Sequence, residues 1–435
     1  MTLFASTGLP VSTNTLVIGA GAAGLAAAFA LEQDVIVLEA RDLPGGLCDT
    51  IELQGAFFDL GGHSFHSPHA SVRDLIFDLL PMYEQKRQAR CFVQGEMISY
   101  PFQKHFAQLN QPEIVEECRR FSPSQVHNID CEILNFGDYL INRFGEGICR
   151  NFLLPYNRKL WGSDLSRLSA NWVSERIEGS GSQKGDFSAG KRVPLQDDSI
   201  VAYPAQGGFS AITSALAQRV ADLRCGNNLV SVNILNKTAT TSDGTVYNWK
   251  KLITTIPLNL FCEKISEFPR QLSTMVSQLE FLPLHVVFVV LNHSVETDIQ
   301  RIYCSEENIQ SHKIVINHNS SEYLRSLPHS GISAEIALPP ERLLNLDDVE
   351  SHFVKSLLEM RMIKSGDEVI ATKRQSIRYG YPVPTHSRES VVAAVKSWLG
   401  ERDIYCLGRF GEWDYINSDE AIARGLLLGR ALNAG

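Results

Sequence analysis

The chain has 435 residues, 44% of them hydrophobic and 20% charged, and a formal net charge of -9. This length predicts two or three domains, and the absence of any Lys/Arg-rich run argues against a nucleic-acid-binding protein. Nine cysteines without a CxxC pair, no signal peptide and no membrane-spanning stretch predict a soluble, cytoplasmic protein with reduced thiols.

The N-terminal segment has the pattern strand, glycine turn, helix, strand. Residues 16–18 are an apolar strand, residues 19–24 match G-x-G-x-x-G, and an Ala-rich helix follows over residues 25–31. A second strand at residues 35–38 ends at Glu39, where an acid can accept hydrogen bonds from ribose hydroxyls. Because the motif has this full context, we predict a dinucleotide-binding βαβ unit rather than an Ala/Gly-rich packing turn.

Further along the chain, the spacing of apolar residues predicts mostly helix from residue 110 to 178 and strands in several later segments. The Gly-, Ser- and Lys-rich residues 179–185 predict a mobile loop. We interpret this loop as a lid, because it directly follows Arg176, which is considered below as a substrate-binding residue, and because its glycines lower the cost of motion. Strands are predicted within residues 229–256, 282–291, 313–317 and 403–407, and a closing helix is predicted over residues 418–432. The βαβ unit is therefore predicted to be completed by the C-terminal segment.

Two glycine pairs distinguish FAD from NAD as the dinucleotide. Residues 39–46 and 58–62, which contain Gly45-Gly46 and Gly61-Gly62, resemble the extended fingerprint of the flavoprotein superfamily of amine oxidases, protoporphyrinogen oxidases, phytoene desaturases and UDP-galactopyranose mutases. Amine oxidases usually have arginine after the first pair, whereas this chain has Leu47. FAD is therefore the predicted cofactor.

Seven segments in the right order resemble UDP-galactopyranose mutases of the eukaryotic type and their bacterial relatives. They include a GGH turn, a YPFQ segment and a PYNxKxW segment, and together they extend over most of the chain. The segments are residues 61–67, 99–103, 155–161, 172–176, 203–208, 378–385 and 408–415.

This resemblance implies an α/β fold with a Rossmann-type FAD-binding domain, an inserted helical domain and an antiparallel six-stranded sheet domain. It assigns residues 1–80, 203–257 and 403–435 to the first domain, 104–178 to the second, and 81–103, 179–202 and 258–402 to the third. It also implies a redox-neutral isomerase of a nucleotide sugar, of the pyranose–furanose mutase type used in carbohydrate biosynthesis. In that family N5 of reduced FAD attacks the anomeric carbon, so NAD(P)H or another reductant would be a partner.

The resemblance also implies site residues. The catalytic residues would be His63 and Arg176. The FAD contacts would be Gly19, Gly21, Ala22, Ala23, Gly24, Glu39, Ala40, Arg41, Gly46, Leu47, Gly61, Gly62, His63, Ser64, Val230, Gly408, Arg409, Tyr415, Ser418 and Asp419. The substrate contacts would be Tyr100, Phe102, Gln103, Asn157, Trp161, Arg176, Lys313, Tyr381 and Tyr415.

The sequence departs from the mutase pattern at three positions. The mutase family binds the pyrophosphate with two arginines, and Arg176 matches the first. The second appears here as Lys313, and the tyrosine expected seven positions after it is Ser320. Gln206 replaces the arginine of the FPARGG turn. Lysine supplies charge but not the bidentate fork of a guanidinium. The sugar and nucleobase therefore stay open, as does the oligomeric state.

Several of these residues also have simpler interpretations. His63, His66 and His69 have a spacing that could suggest a metal, but no Cys, Asp or Glu cluster accompanies them, so no metal site is predicted. Arg176 could be a surface ion-pair partner, and Tyr381 and Tyr415 could be packing residues. The alternative functions are an oxidase or desaturase of the amine oxidase type, which predicts an apolar tunnel, and a non-catalytic flavoprotein.

Overall fold

The computed structural model describes residues 9–120, 135–162, 164–173, 199–338 and 348–433. Arg176 and the predicted lid at residues 179–185 lie outside these ranges. Within them, no helix is long and apolar enough to cross a membrane.

Eighteen strands are formed within these ranges, and most belong to two large sheets. They are β1 (Val11–Ile18), β2 (Val35–Leu38), β3 (Thr50–Leu53), β4 (Ala56–Asp59), β5 (Met82–Lys86), β6 (Ala89–Val93), β7 (Glu96–Ser99), β8 (Ile200–Pro204), β9 (Leu223–Arg224), β10 (Leu229–Asn233), β11 (Thr238–Thr241), β12 (Val246–Thr254), β13 (Phe281–Leu291), β14 (Arg301–Cys304), β15 (Lys313–Ile316), β16 (Ser330–Ala337), β17 (Val369–Pro382) and β18 (Ile404–Cys406).

The helices cover the faces of these sheets. They are α1 (Ala22–Ala30), α2 (Ala70–Leu79), α3 (Phe102–His105), α4 (Pro112–Arg120), α5 (Phe136–Phe144), α6 (Glu146–Ile148), α7 (Leu154–Trp161), α8 (Ser210–Ala217), α9 (Leu258–Glu263), α10 (Arg270–Val276), α11 (Glu322–Arg325), α12 (Val349–Glu359), α13 (Arg388–Gly400), α14 (Gly408–Gly411) and α15 (Ser418–Asn433).

The first large sheet contains the predicted βαβ unit. Its strand order is β10-β11-β12-β1-β2-β9, and β18 also pairs with β12. The pairs β1/β2, β1/β12 and β12/β18 are parallel, and the second half of β1 is a continuous buried run, as expected for a parallel strand covered on both faces. The C-terminal helix α15 closes this unit, because Gly425 and Gly429 allow it to pack directly against the Ala-rich α1.

The second large sheet has the strand order β17-β13-β16-β15-β14-β6-β7. The predicted mixed α/β fold is confirmed, but this sheet has seven strands rather than six, and the β6/β14 pair is parallel. The hairpin β6–β7 comes from a chain segment about 200 residues before β14, so local sequence cannot fix the direction in which it joins the sheet. Helices α4 to α7 pack on one face through a core that includes Phe136, Phe152 and Phe288.

Candidate functional site

The glycine turn at residues 19–24 joins β1 to α1. Gly19 has a φ of 100°, which favours glycine, and a Cβ on Gly24 would overlap the carbonyl oxygen of Gly19. Gly21 is the N-cap of α1, and this end of the helix has neither a side-chain cap nor an acid in its first turn. Its amide groups, on Ala22, Ala23 and Gly24, can therefore face a phosphate at the positive end of the helix dipole.

Glu39 lies beside this turn at the end of β2. Its Oε2 accepts a hydrogen bond from the amide of Ala20 at 2.8 Å, and its Oε1 accepts one from the amide of Arg41 at 3.0 Å. Arg41 also donates to Asp49 at 3.0 Å. Each carboxylate oxygen has further lone pairs, so Glu39 can still accept ribose hydroxyl groups.

The later glycines bring other chain segments against the same turn. The amide of Gly45 donates to the carbonyl of Ala20 at 2.9 Å, and a Cβ on Gly46 would lie 3.0 Å from the Cα of Gly21. A Cβ on Gly408 would lie 2.8 Å from Ala23. These glycines therefore leave a narrow backbone-lined cradle around the turn, and its amides, small residues and acid fit a bound dinucleotide.

Other predicted cofactor contacts are placed around this cradle. The amide of Asn227 donates to the carbonyl of Glu39 at 2.8 Å, which brings the start of β10 near Glu39, and the Val230 side chain is half exposed. Ser418 and Asp419 begin α15, which packs on α1. Ala40, Leu47 and Ser64 follow Glu39, Gly46 and His63 in the chain, as the motif implied.

One face of the second sheet meets the turn at Gly61 and Gly62. Tyr303, Lys313 and Glu335 lie opposite one another on β14, β15 and β16, so their side chains share this face. The amide of Gly62 donates to Glu335 Oε1 at 2.5 Å, and a Cβ on Gly62 would lie 3.2 Å from Cε of Lys313. The glycine at position 62 is therefore required for this close approach between the loop and the sheet.

Glu335 is a buried carboxylate surrounded by polar partners. Its Oε1 lies 2.7 Å from Nζ of Lys313, Tyr381 donates to its Oε2 at 2.7 Å, and Nε2 of His312 lies 3.6 Å from Oε2. Burial alone would raise the pKa of Glu335, but Lys313 and His312 outweigh this effect and hold the pKa well below its usual range. Glu335 is therefore an ionised carboxylate in contact with Lys313.

Lys159 fixes the loop that leads into this pair. Its Nζ donates to the carbonyl oxygens of Glu306, Ile309 and Ser311 at 3.0, 2.9 and 2.9 Å. Burial lowers the pKa of Lys159 to about 8. Lys159, the central lysine of the PYNxKxW segment, therefore positions Lys313 from the helical side of the site.

His63 lies between the first domain and the sheet. Its ring stacks on Phe209 with 4.7 Å between ring centroids, and its backbone carbonyl accepts from Nη2 of Arg301 at 2.6 Å. Burial and the nearby cations Lys313, Arg409 and Arg301 lower its pKa to about 3, against an opposing effect of Glu335. His63 is therefore a neutral imidazole, and its enclosed Nδ1 has no partner within the described part of the chain.

Asp59 fixes the position of Phe209, on whose ring His63 stacks. It accepts hydrogen bonds from Tyr203 Oη at 2.7 Å, Thr50 Oγ1 at 2.7 Å and the amide of Phe209 at 3.0 Å. Burial raises the pKa of Asp59 from 3.8 to about 6, and the three donors oppose this shift only in part. Asp59 is thus a buried positioning acid with an unusually high affinity for a proton.

This raised pKa predicts a pH-dependent stability. A carboxyl that binds a proton more tightly when folded contributes stability below about pH 4, and the contribution is lost as pH rises toward 6. Two pKa units correspond to roughly 3 kcal/mol. The measurement is urea unfolding of wild type and Asp59→Asn at several pH values. The difference between their free energies of unfolding should change by this amount between pH 4 and 7. A difference that does not depend on pH would contradict the raised pKa of Asp59.

An aromatic cluster borders Glu335, and its member Tyr381 comes from β17 of the same sheet. Tyr415 contacts Trp161 and Tyr381 edge-on, each with 5.3 Å between ring centroids, and Arg409 lies over the Tyr415 ring at 5.4 Å. Trp161 and Tyr381 are buried. The structure therefore brings the predicted residues Trp161, Lys313, Tyr381, Arg409 and Tyr415 together around Glu335 and His63.

Other predicted substrate contacts lie within the core. Phe102 has no exposed surface and stacks on Phe152, and Asn157 is buried with its amide donating to the carbonyl of Leu153 at 2.7 Å. Gln103 is also buried. Tyr100 packs on Tyr303, with 4.9 Å between centroids, and lies under Arg87. The YPFQ segment thus supports the site mainly through packing, because its apolar residues cover the edge of the helical core.

Sequence reasoning missed several polar residues of this site, among them Arg87, Arg301, Tyr303 and Glu335. A usable signal existed for Glu335, which is the one charged residue in the otherwise apolar or small stretch 330–338. Charged residues are almost never fully buried unless they are paired, so an acid in such a strand indicates a partner. The sequence around Arg301 carried no comparable signal, because Arg301 joins the site only through the pairing of β14 with β15.

The fold and the site define a class of protein. It has a Rossmann-type domain whose glycine turn faces a polar surface of a second, mainly antiparallel sheet. Residues 17–79 match the family model of the NAD(P)-binding Rossmann-like domain.

Solved structures extend this similarity to the whole chain. Reduced UDP-galactopyranose mutase has 22% sequence identity and a TM-score of 0.89, with 97% of this chain and 94% of that chain covered. A candidate protoporphyrinogen oxidase from Exiguobacterium has 15% identity and a TM-score of 0.75, with 98% and 100% covered. Putrescine oxidase bound to putrescine has 18% identity and a TM-score of 0.70, with the same coverage. The resemblance predicted from the sequence is therefore confirmed as a shared fold.

Proposed function

We propose that this protein is an FAD-dependent, redox-neutral isomerase that interconverts the ring forms of a nucleotide sugar. The observation that carries the proposal is the character of the site: Lys313, Arg301, Glu335 and several tyrosines form a polar, cationic surface beside the cofactor cradle. An amine or apolar substrate of an oxidase would instead need an apolar tunnel. The similarity to UDP-galactopyranose mutase over nearly the whole chain supports the same choice.

FAD would be held by the glycine turn, by Glu39 and by the backbone around Gly46 and Gly408. Bound in its reduced form, FAD supplies an electron-rich N5 that can act as a nucleophile toward the anomeric carbon. The chain's own residues bind and orient the substrate. Lys313 supplies positive charge, Tyr415 supplies an aromatic wall backed by the buried ring of Trp161, and the neutral ring of His63 packs beside the sugar site without adding charge.

The test is turnover of nucleotide sugars by the FAD-loaded protein in its two redox states. The purified protein should be yellow, and after reduction with dithionite it should convert a furanose nucleotide sugar into its pyranose form, measured by chromatography of the nucleotides. We expect no measurable turnover with fully oxidised FAD, because oxidised N5 is not a nucleophile. Equal rates in the two redox states would contradict the proposal, as would failure to bind FAD.

An oxygen electrode distinguishes the main alternative. An isomerase consumes no net oxygen during turnover, whereas an amine oxidase or desaturase produces substrate-dependent peroxide. The same panel of nucleotide sugars should raise the melting temperature of the FAD-loaded protein, since a ligand specific for the folded state stabilises it by mass action. Stabilisation by polyamines with peroxide formation would favour the oxidase instead.

A further inference from the structure

We infer that Arg301 is a further binding residue for a diphosphate, and that it supplies from β14 the guanidinium fork that Lys313 lacks on β15. This inference rests on the proposed nucleotide-sugar substrate. The site would clamp one oxyanion group between Arg301 and Lys313, beside the turn at Gly62 and His63.

The register of the sheet places the two cations on one face. Tyr303 lies opposite Lys313, and Arg301 lies opposite Val315, so Arg301 and Lys313 are diagonal neighbours on adjacent antiparallel strands. Diagonal neighbours are separated by roughly 7–8 Å, within reach of long side chains. Their head groups also reach consecutive residues of one turn, since Arg301 donates to the carbonyl of His63 and Lys313 lies against Gly62.

The charges on this face are unbalanced. Arg301 is 6% exposed, yet among the described residues no carboxylate lies within 4 Å of it, and its bond to the His63 carbonyl uses one of five N–H donors. Glu335 and Asp59 act on Arg301 only at longer range, because Glu335 directly contacts Lys313, Tyr381, His312 and the amide of Gly62. A buried guanidinium that has no carboxylate in direct contact is only partly compensated, so this arrangement favours binding of an anion.

Two neighbouring groups are consistent with an anion at this position. The enclosed Nδ1 of His63 has no hydrogen-bond partner within the described ranges, so the turn still has an unused polar atom. Burial would raise the pKa of Tyr303, but Arg87, Lys313 and Arg301 outweigh it and lower the pKa. Both groups therefore experience the positive potential that a diphosphate would neutralise.

The experiment measures the dissociation constants of inorganic pyrophosphate and UDP on the FAD-loaded protein by calorimetry. Arg301→Met should weaken both by about 10- to 150-fold, the loss expected for a charge-assisted hydrogen bond. Arg301→Lys should recover only part of this loss, because the fork is absent. Lys313→Met combined with Arg301→Met should show a non-additive effect, since both residues contact one group.

Arg374→Met is the matched control. Arg374 lies opposite Val287 on the same sheet, whereas Val286 lies opposite Glu335, so Arg374 projects from the other face. This variant should bind pyrophosphate like wild type.

Two results would overturn the inference. One is wild-type affinity in both folded Arg301 variants. The other is loss of FAD from these variants with unchanged pyrophosphate affinity once FAD is restored, which would make Arg301 a support of the cofactor turn. Arg301-dependent pyrophosphate binding without isomerisation of any nucleotide sugar would contradict the proposed function and leave the anion site intact.

Discussion

Glu335→Ala is expected to destabilise the FAD-loaded protein by roughly 3–5 kcal/mol, the usual cost of removing one partner from a buried ion pair. Glu335 is 1% exposed in its side chain, and its loss leaves Lys313, the amide of Gly62 and the hydroxyl of Tyr381 without their shared acceptor. Urea unfolding measures the effect. Glu350→Ala is the control, because Glu350 is partly exposed and lies 3.8 Å from Arg374, so its removal should change stability by less than about 0.5 kcal/mol.

A double-mutant cycle separates lost charge from lost packing. Glu335→Gln keeps an acceptor oxygen but leaves Lys313 without a counter-charge, so it should still destabilise the protein. Adding Lys313→Met to Glu335→Gln should recover part of the loss, with a coupling of roughly 0.5–3 kcal/mol. Strict additivity of the two substitutions would mean that the ion pair contributes nothing beyond its separate contacts.

Arg176→Ala should weaken nucleotide-sugar binding by about 10- to 150-fold and leave FAD bound. The chain has a net charge of -9, so a nucleotide diphosphate is repelled at long range and needs a close cation aimed at its phosphates. One charge-assisted hydrogen bond contributes roughly 1.5–3 kcal/mol, which gives this range of affinities. Arg176→Lys should recover only part of the loss, and titration calorimetry measures all three dissociation constants.

Arg167→Ala is the control for this experiment. Arg167 is about half exposed and forms an ion pair with Glu280 at 2.5 Å, away from any assigned role. Its replacement should leave the affinity unchanged. Wild-type binding by Arg176→Ala would show that the diphosphate is not placed there, and loss of FAD would make Arg176 a structural residue.

The cofactor cradle could be predicted from the sequence because its determinants are local. The turn, the helix and Glu39 lie within about 20 consecutive residues, and the φ of 100° at Gly19 and the close approach at Gly24 are properties of those positions themselves. The strand at residues 35–38 was predicted with the observed bounds, and the closing helix to within one residue at its end. The second sheet was predicted less well: the resemblance assigned residues 81–103 to its domain, but it gave neither the seven strands nor the parallel pairing of β6 with β14.

The sequence by itself determined the Rossmann-type βαβ unit and the mutase-like order of segments, because short-range spacing and glycine geometry encode both. Only the tertiary structure decided which charges meet at the site. Glu335 lies 22 residues from Lys313 and 46 from Tyr381, and Arg301 contacts His63 from 238 residues away. Such contacts depend on strand register and on the packing of one domain against another, and a one-residue slip of β15 would turn Lys313 to the opposite face.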